Sequence, residues 1–129
     1  MAGVVDDVIA HLDAKWNIVV TPKPAFLIGD KQLYEGLNFI HVFDNYSRYF
    51  DATVDGTKRN EEHLVLMKVG SKDTQAKRDL MVQEVERICN IILTGYGYNV
   101  IDDRDNLDTS DGWYTNILFK LKKFIQNKP

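Results

Sequence analysis

The spacing of apolar residues changes three times along this chain, and that order of periods constrains the fold more than any single motif. Helical spacing over 5–16 is followed by alternating spacing over 37–44 and 62–69, then by helical spacing from about 74 to 93. The closing segment, 113–125, alternates again. This order predicts a single α+β domain over all 129 residues, with a mainly antiparallel sheet of about four to five strands packed against two helices.

The two helical segments have recognisable ends. Proline lacks the amide donor that a helix needs, so Pro22 and Pro24 end the first helix and leave 25–28 to start the sheet as a short edge strand. The second helix begins at the capping residue Thr74 and ends where Gly95 allows the chain to turn. Its predicted buried stripe consists of Ala76, Leu80, Met81, Val85, Ile88 and Ile92. Its predicted solvated side consists of Lys77, Arg78, Gln83, Glu84, Glu86 and Arg87.

Alternation assigns the two faces of the predicted strands. Ile40 and Val42 share one face of the strand 37–44. The other face carries Phe39, His41 and Phe43. The strand 62–69 is expected to pair with it as an antiparallel hairpin, and a short strand is predicted at 99–102. The closing segment has the strongest alternation and is expected at the centre of the sheet.

The connection 45–60 between the paired strands is too polar to be core, yet it carries three aromatic residues. Tyr and Arg are enriched where proteins contact one another, so this segment is predicted to project as a hairpin or loop that docks on a neighbouring subunit. The alternative is that its aromatic side chains fold back over their own sheet. The predicted subunit contacts are Tyr46, Arg48, Tyr49 and Phe50.

A second polar connection, 102–112, is rich in aspartate and invites comparison with a calcium-binding loop. An EF-hand would need an oxygen ligand where Leu107 stands, a glycine after it and a glutamate at the end, and the sequence has none of these. The segment is therefore predicted to be a solvated turn between two strands, and no metal site is predicted.

Catalytic chemistry has little support in the residue pattern. No nucleophile motif, phosphate-binding loop or metal-ligand pair of known spacing occurs, so neither an enzyme activity nor a cofactor is predicted. One alternative stays open, because His41, His63 and Asp44 would meet across the hairpin in some registers, and a histidine beside a carboxylate can act as a general base or bind a metal. Cys89 has no cysteine partner and is predicted to pack as a small apolar residue.

Charge and hydropathy limit the partners. The net charge of -3 lacks the positive excess that broad binding of phosphate backbones requires, so nucleic acid is not predicted as the principal ligand. Lysines near the C-terminus would either protect a sheet edge from unwanted pairing or make a passing contact with DNA. They are Lys120, Lys122, Lys123 and Lys128. Asp6 and Asp7 stand where a signal peptide would be basic, and no apolar run is long enough to cross a membrane, so we expect maturation in a cytoplasm and no membrane partner.

This order of patterns resembles the tail terminator, or tail-completion, proteins of long-tailed bacterial and archaeal viruses. The resemblance starts with the helix pattern at 4–12, closed by Trp16, and with the Lys23-Pro24 lead into a strand. It continues with the strand pair and its long hairpin, the helix pattern at 79–88 and the closing strand at 114–121. It therefore spans nearly the whole chain as an order of elements.

The resemblance implies a non-enzymatic structural protein of the virion tail, assembled in the host cytoplasm as a ring that is commonly a hexamer. Such a ring caps the finished tail tube, so the implied partners are further copies of the chain, the tail tube protein and a head-side connector or neck protein. A head-closure or neck adaptor of the same particle is the nearest alternative. A small cellular enzyme or ligand-binding module that uses His41 and His63 is the alternative from another class.

Overall fold

The computed structural model describes residues 3–29, 36–51 and 58–126. Within these residues the chain forms two helices and five strands. In chain order they are α1 (Val4–Lys15), β1 (Ala25–Ile28), β2 (Asn38–Asp51), β3 (Lys58–Ser71), α2 (Gln75–Cys89), β4 (Tyr98–Thr109) and β5 (Gly112–Gln126). The sheet has the strand order β1-β2-β3-β5-β4, in which β1 runs parallel to β2 and all other neighbours are antiparallel. The predicted α+β class and the edge position of β1 are confirmed. Strand β5 is an interior strand, but β3 occupies the predicted central place and β5 lies next to the edge strand β4.

The core lies between the two helices and one face of the sheet. Strands β2, β3 and β5 contribute fully buried side chains to it, among them Ile40 and Val42, which alternation had assigned to one face. These buried side chains are Ile40, Val42, Val65, Met67, Val69, Ile117, Phe119 and Leu121. The helices contribute Val8, Leu12, Trp16, Met81, Val85 and Ile88. Full burial of such a side chain stabilises the fold by roughly 1.5 to 3 kcal/mol, so this layer holds the sheet and the helices together.

Side-chain hydrogen bonds mark both ends of α2. The predicted cap Thr74 accepts a hydrogen bond at 3.1 Å from the amide three residues on. At the other end the Asn99 amide donates to the carbonyl of Cys89 at 2.6 Å, and His11 Nε2 lies 3.0 Å from the carbonyl oxygen of Ile88. The helix therefore ends at Cys89, earlier than predicted, because partners outside the helix satisfy its last carbonyls.

The buried side of α2 differs from the predicted stripe. Leu80 is 37% exposed and Ile92 53% exposed, whereas Arg78 and Glu84 are each 2% exposed. Ala76 is exposed as well. The buried residues of α2 are Arg78, Met81, Val82, Glu84, Val85, Ile88 and Cys89. The predicted stripe is therefore right for Met81, Val85 and Ile88 and wrong for Ala76, Leu80 and Ile92. The predicted solvated side was wrong for Arg78 and Glu84, because hydrogen-bonded partners allow these charged side chains to occupy buried positions.

The two segments predicted to be polar connections, 45–60 and 102–112, lie partly in β-strands. The β2–β3 pairing continues to Asp51 opposite Arg59, so much of 45–60 belongs to a long antiparallel ladder. Strand β4 continues to Thr109, so most of the predicted turn at 102–112 is an exposed edge strand. Both corrections have the same cause: backbone hydrogen bonds to a neighbouring strand hold a strand in place even where no apolar alternation marks it.

Gly70 allows two aromatic rings to approach the sheet on the face opposite the helices. A Cβ atom at this position would lie 2.7 Å from the ring of Phe39 and 2.8 Å from that of Tyr114. We expect Gly70→Ala to lower the free energy of unfolding by about 1 to 2 kcal/mol, because the rings must shift to admit the methyl group. Urea unfolding measures this, with Gly3→Ala as the control, since nothing lies within 4 Å of a Cβ at Gly3. Equal effects of the two changes would contradict the steric explanation.

Candidate interaction surface

Neither helix covers the second face of the sheet. Phe43, Leu66 and Leu118 are direct register partners on β2, β3 and β5, and together they form an apolar row across the centre of this face. All three are partly exposed. Asp103 continues the row on β4. An apolar row on the uncovered side of a sheet is typical of a surface that meets another protein.

Only one end of this face is covered by its own side chains among the residues that the structure describes. Leu27, Phe39 and Tyr114 form a small buried cluster there, with Ala25 packed against it. The Nζ atom of Lys68 lies 4.9 Å from the ring centroid of Tyr114. Within the residues that the structure describes, Phe43, Leu66 and Leu118 lie outside this cluster and keep part of their surface exposed.

A shallow hollow lies next to the apolar row. Its volume is about 280 Å³. We call it the acidic hollow, and it is lined by Asn45, Leu66, Asp103, Asp105, Asn116 and Leu118. Its two charged residues are both aspartates, and its two apolar residues are leucines. It can accept an apolar side chain whose surroundings carry positive charge.

Two of the predicted contact residues lie on the same uncovered face. Tyr46 is 49% exposed and stands opposite Leu64 in the ladder. Arg48 forms an ion pair of 3.1 Å with Glu62. Tyr49 and Phe50 pair through their backbones with Glu61 and Asn60, and their side chains lie outside the described part of the structure. The predicted contact set is thus placed on the sheet ladder, and its neighbour-binding role stays a prediction.

The structure separates the two histidines of the enzyme alternative. His41 lies on the uncovered face, where its Nδ1 atom is 2.7 Å from the carbonyl oxygen of Gly29. His63 lies on the helix face and is 5% exposed. The Ser47 hydroxyl links it to Asp44, with 2.7 Å between Ser47 Oγ and His63 Nδ1 and 2.9 Å between Ser47 Oγ and Asp44 Oδ1. The predicted grouping is therefore right for His63 and Asp44 and wrong for His41.

The hydrogen bonds around His63 connect elements of the fold and are not arranged for catalysis. The Ser47 hydroxyl donates to Asp44, so its hydrogen points away from the imidazole that would have to remove it in catalysis. The ring of Tyr96 packs edge-on against His63 at a centroid distance of 6.3 Å, and the Tyr96 hydroxyl donates to Asp7 of α1 at 2.8 Å. These contacts join the β2–β3 ladder to α1.

Other reactive groups are also held in structural positions. Cys89 lies in the core, and burial raises the pKa of its thiol to about 12, so the reactive thiolate is not populated near neutral pH. No group of three or more His, Cys, Asp or Glu side chains suited to a metal ion occurs among the residues that the structure describes. Within the same residues, no helix has the length and apolarity to span a membrane.

The C-terminal lysines do not protect a sheet edge, because β5 lies between β3 and β4. Lys120 lies 3.8 Å from a carboxylate oxygen of Asp102, and Lys122 lies 3.9 Å from one of Glu62. Lys123 lies over the ring of Tyr96, 5.4 Å from its centroid. Lys128 is outside the described residues. These lysines therefore already have acidic or aromatic neighbours on the strand surface.

One exposed apolar feature lies outside every predicted element. In the turn between α1 and β1, Ile18 is 69%, Val19 90% and Val20 41% exposed. We call these three residues the aliphatic knob. The signal in the sequence is a run of three β-branched residues between a helix end and a proline pair, where no periodic pattern calls for apolar side chains. A scan of protein-family models and a search of curated proteins found no match for this chain.

Proposed function

We propose that this chain is a structural protein of a long-tailed virus, forming a ring that caps the tail tube and joins the tail to the head. The observation that carries the proposal is the uncovered sheet face with its apolar row at Phe43, Leu66 and Leu118. A small domain that leaves such a row accessible gains stability when a second protein covers it. The order of elements, which resembles the tail terminators, supports the same function.

The proposed ring consists of further copies of this chain, in the manner of a hexamer, and its outer partners are the tail tube protein and a head-side connector. In a closed ring each subunit offers one surface to the subunit before it and a different surface to the one after it. Tyr46 and Arg48 lie on the uncovered face, so we propose them as subunit contacts. Tyr49 and Phe50 are proposed as contacts on the sequence argument alone.

We also propose that the protein has no catalytic role in the particle. Support comes from the closed hydrogen-bonded chain around His63 and from the distance between the two sheet faces that carry His41 and His63. Contact with passing DNA stays a prediction. The acidic or aromatic neighbours of Lys120, Lys122 and Lys123 favour a weak contact over tight binding.

The mass of the purified protein in solution tests the proposal. We expect light scattering over a range of concentrations, with negative-stain imaging of the same sample, to detect rings of about six subunits. Where the free protein is monomeric, we expect rings to form once purified tail tubes are added, and to be seen at tube ends. The matched control is the same measurement with tubes whose ends are already capped.

Two results would contradict the proposal in different ways. A stable monomer or dimer that does not bind tubes would remove the whole structural assignment. Rings that bind a head-side connector and ignore tube ends would instead identify a neck adaptor of the same particle.

A further inference from the structure

Hydrogen bonds hold the backbone of the turn that carries the aliphatic knob. Asn17 starts its turn and is fixed to α2, because its backbone N–H donates to Glu84 Oε2 at 2.6 Å. The amide of Val19 donates to Asn17 Oδ1 at 3.0 Å, and the amide of Val20 donates to the Asn17 carbonyl at 3.1 Å. A turn whose backbone is already hydrogen-bonded loses less conformational entropy when it binds, so the exposed Val19 is suited to anchor a contact.

The charges around the knob are complementary to those of the acidic hollow. The cations near the knob are Lys15, Lys23 and Arg87, and the anions are Asp13 and Glu84. Asp13 pairs with Lys23 and Glu84 pairs with Arg87, which leaves the positive charge of Lys15 in excess. The hollow offers the carboxylates of Asp103 and Asp105 beside Leu66 and Leu118. An exposed apolar turn that follows in the chain a lysine unpaired among the described residues thus complements a hollow lined by two leucines and two aspartates.

The knob and the hollow face opposite sides of the molecule. Asn17 is fixed to α2, in the helix layer, whereas the hollow lies on the sheet face that the helices leave uncovered. One molecule therefore cannot insert its own knob into its own hollow, and a pair of molecules that joins one knob to one hollow keeps a free knob and a free hollow. Such a contact is heterologous, and repeated it closes a ring if the rotation between subunits allows.

We propose that the aliphatic knob of one copy of this chain binds the acidic hollow of the next copy, with Val19 against Leu66 and Leu118, and Lys15 near Asp103 and Asp105. This inference deepens the proposed function and rests on it, since it names the two surfaces that meet within the proposed ring. The uncovered face that carries Tyr46 and Arg48 becomes the receiving side of each subunit.

Complementary variants test this contact. Val19→Asp removes the knob and keeps the hollow, and Leu118→Asp removes the hollow and keeps the knob. We expect each variant alone to raise the dissociation constant of assembly at least tenfold by light scattering. We expect an equimolar mixture of the two to form heterodimers that do not extend, because each pair retains one intact contact. Circular dichroism of each variant shows whether it is folded.

Cross-linking tests the same contact without disrupting it. Val19→Cys protein mixed with Leu118→Cys protein should form an intermolecular disulfide under mild oxidation, because the native Cys89 is buried. Gln83→Cys, which is exposed on α2, replaces Leu118→Cys in the control mixture and should not cross-link to Val19→Cys.

The outcomes separate this inference from the proposed function. Rings that persist in Val19→Asp, or a wild-type ring without the specific cross-link, overturn the knob contact and leave the ring function standing. Val19→Asp rings that form normally and no longer bind tubes overturn it too, since the knob would then face the tube. A specific cross-link in a protein that neither forms rings nor binds tubes supports the contact and removes the tail function. A protein that shows neither the specific cross-link nor rings or tube binding would contradict both the knob contact and the tail function.

Discussion

Replacing Phe119 with alanine is expected to lower the free energy of unfolding by about 3 to 5 kcal/mol. Phe119 is fully buried in the middle of β5, where it stands between Val65 on β3 and Ile101 on β4. Both helices and three strands contribute side chains to this core, so the surrounding backbone cannot collapse around a missing ring. Urea unfolding followed by circular dichroism measures the change from the transition midpoint at constant slope.

Leu118 provides the matched control on the same strand. It points to the uncovered face and is partly exposed, so Leu118→Ala is expected to cost roughly 1 kcal/mol. The two neighbours thus separate the stability of the subunit from its assembly. Phe119→Ala should destabilise the subunit strongly, whereas Leu118→Ala should weaken the proposed ring with little loss of subunit stability. A similar loss of stability in both variants would show that the second face is covered as well as the first.

This contrast explains why the strand faces were predictable. Along β5 the residues Ile117, Phe119 and Leu121 alternate with residues on the other side, and the buried set is apolar while the other set is mixed. Where one face of a strand is buried, a shift by one residue would expose its whole apolar set, so the sequence itself specifies the register. The same reasoning held for Ile40 and Val42 on β2.

The strand ends were not predictable in this way. The outer part of β4 is exposed and mostly polar, and it carries Asp102, Asp103 and Asp105 on a free sheet edge. Charged residues protect such an edge against pairing with other chains. A protected edge strand and a solvated turn therefore have the same polar, charged composition. The backbone pairing to β5 decides between the two, and the sequence does not show it.

The candidate surface was predictable only in part. Tyr46 and Arg48 drew attention as an aromatic residue and an arginine in a polar segment, and the structure places them on the uncovered face. The knob lies in a turn without periodicity, and the hollow combines residues of four strands with a bulge between Ile101 and Asp103. A site made by pairing register and by a bulge exists only once the strands are arranged.

The buried carboxylate of Glu84 is expected to stabilise the folded state. Glu84→Gln should lower the free energy of unfolding by about 3 kcal/mol at neutral pH. Glu84 accepts hydrogen bonds from Arg87 Nε at 2.8 Å, Arg87 Nη2 at 2.6 Å and the Asn17 amide at 2.6 Å. Bonds to a charged acceptor are the stronger ones, although solvent around the half-exposed Arg87 reduces their sum. The control is Glu86→Gln, because Glu86 is more exposed and pairs with Arg104 at the surface.

The pH dependence of this difference identifies its cause. Hydrogen bonds from Arg87, with that from Asn17, hold the pKa of Glu84 below its usual value of 4.5, against the opposing effect of burial. A carboxyl group whose pKa is lower in the folded than in the unfolded state adds stability above its unfolded pKa, and that stability is lost as the pH falls through the folded pKa. The gap between wild type and Glu84→Gln should therefore be constant from about pH 6 to 8 and shrink below about pH 4.5. A gap that is unchanged at about pH 3 would show that packing of the side chain, and not its charge, joins α2 to the turn that carries the aliphatic knob.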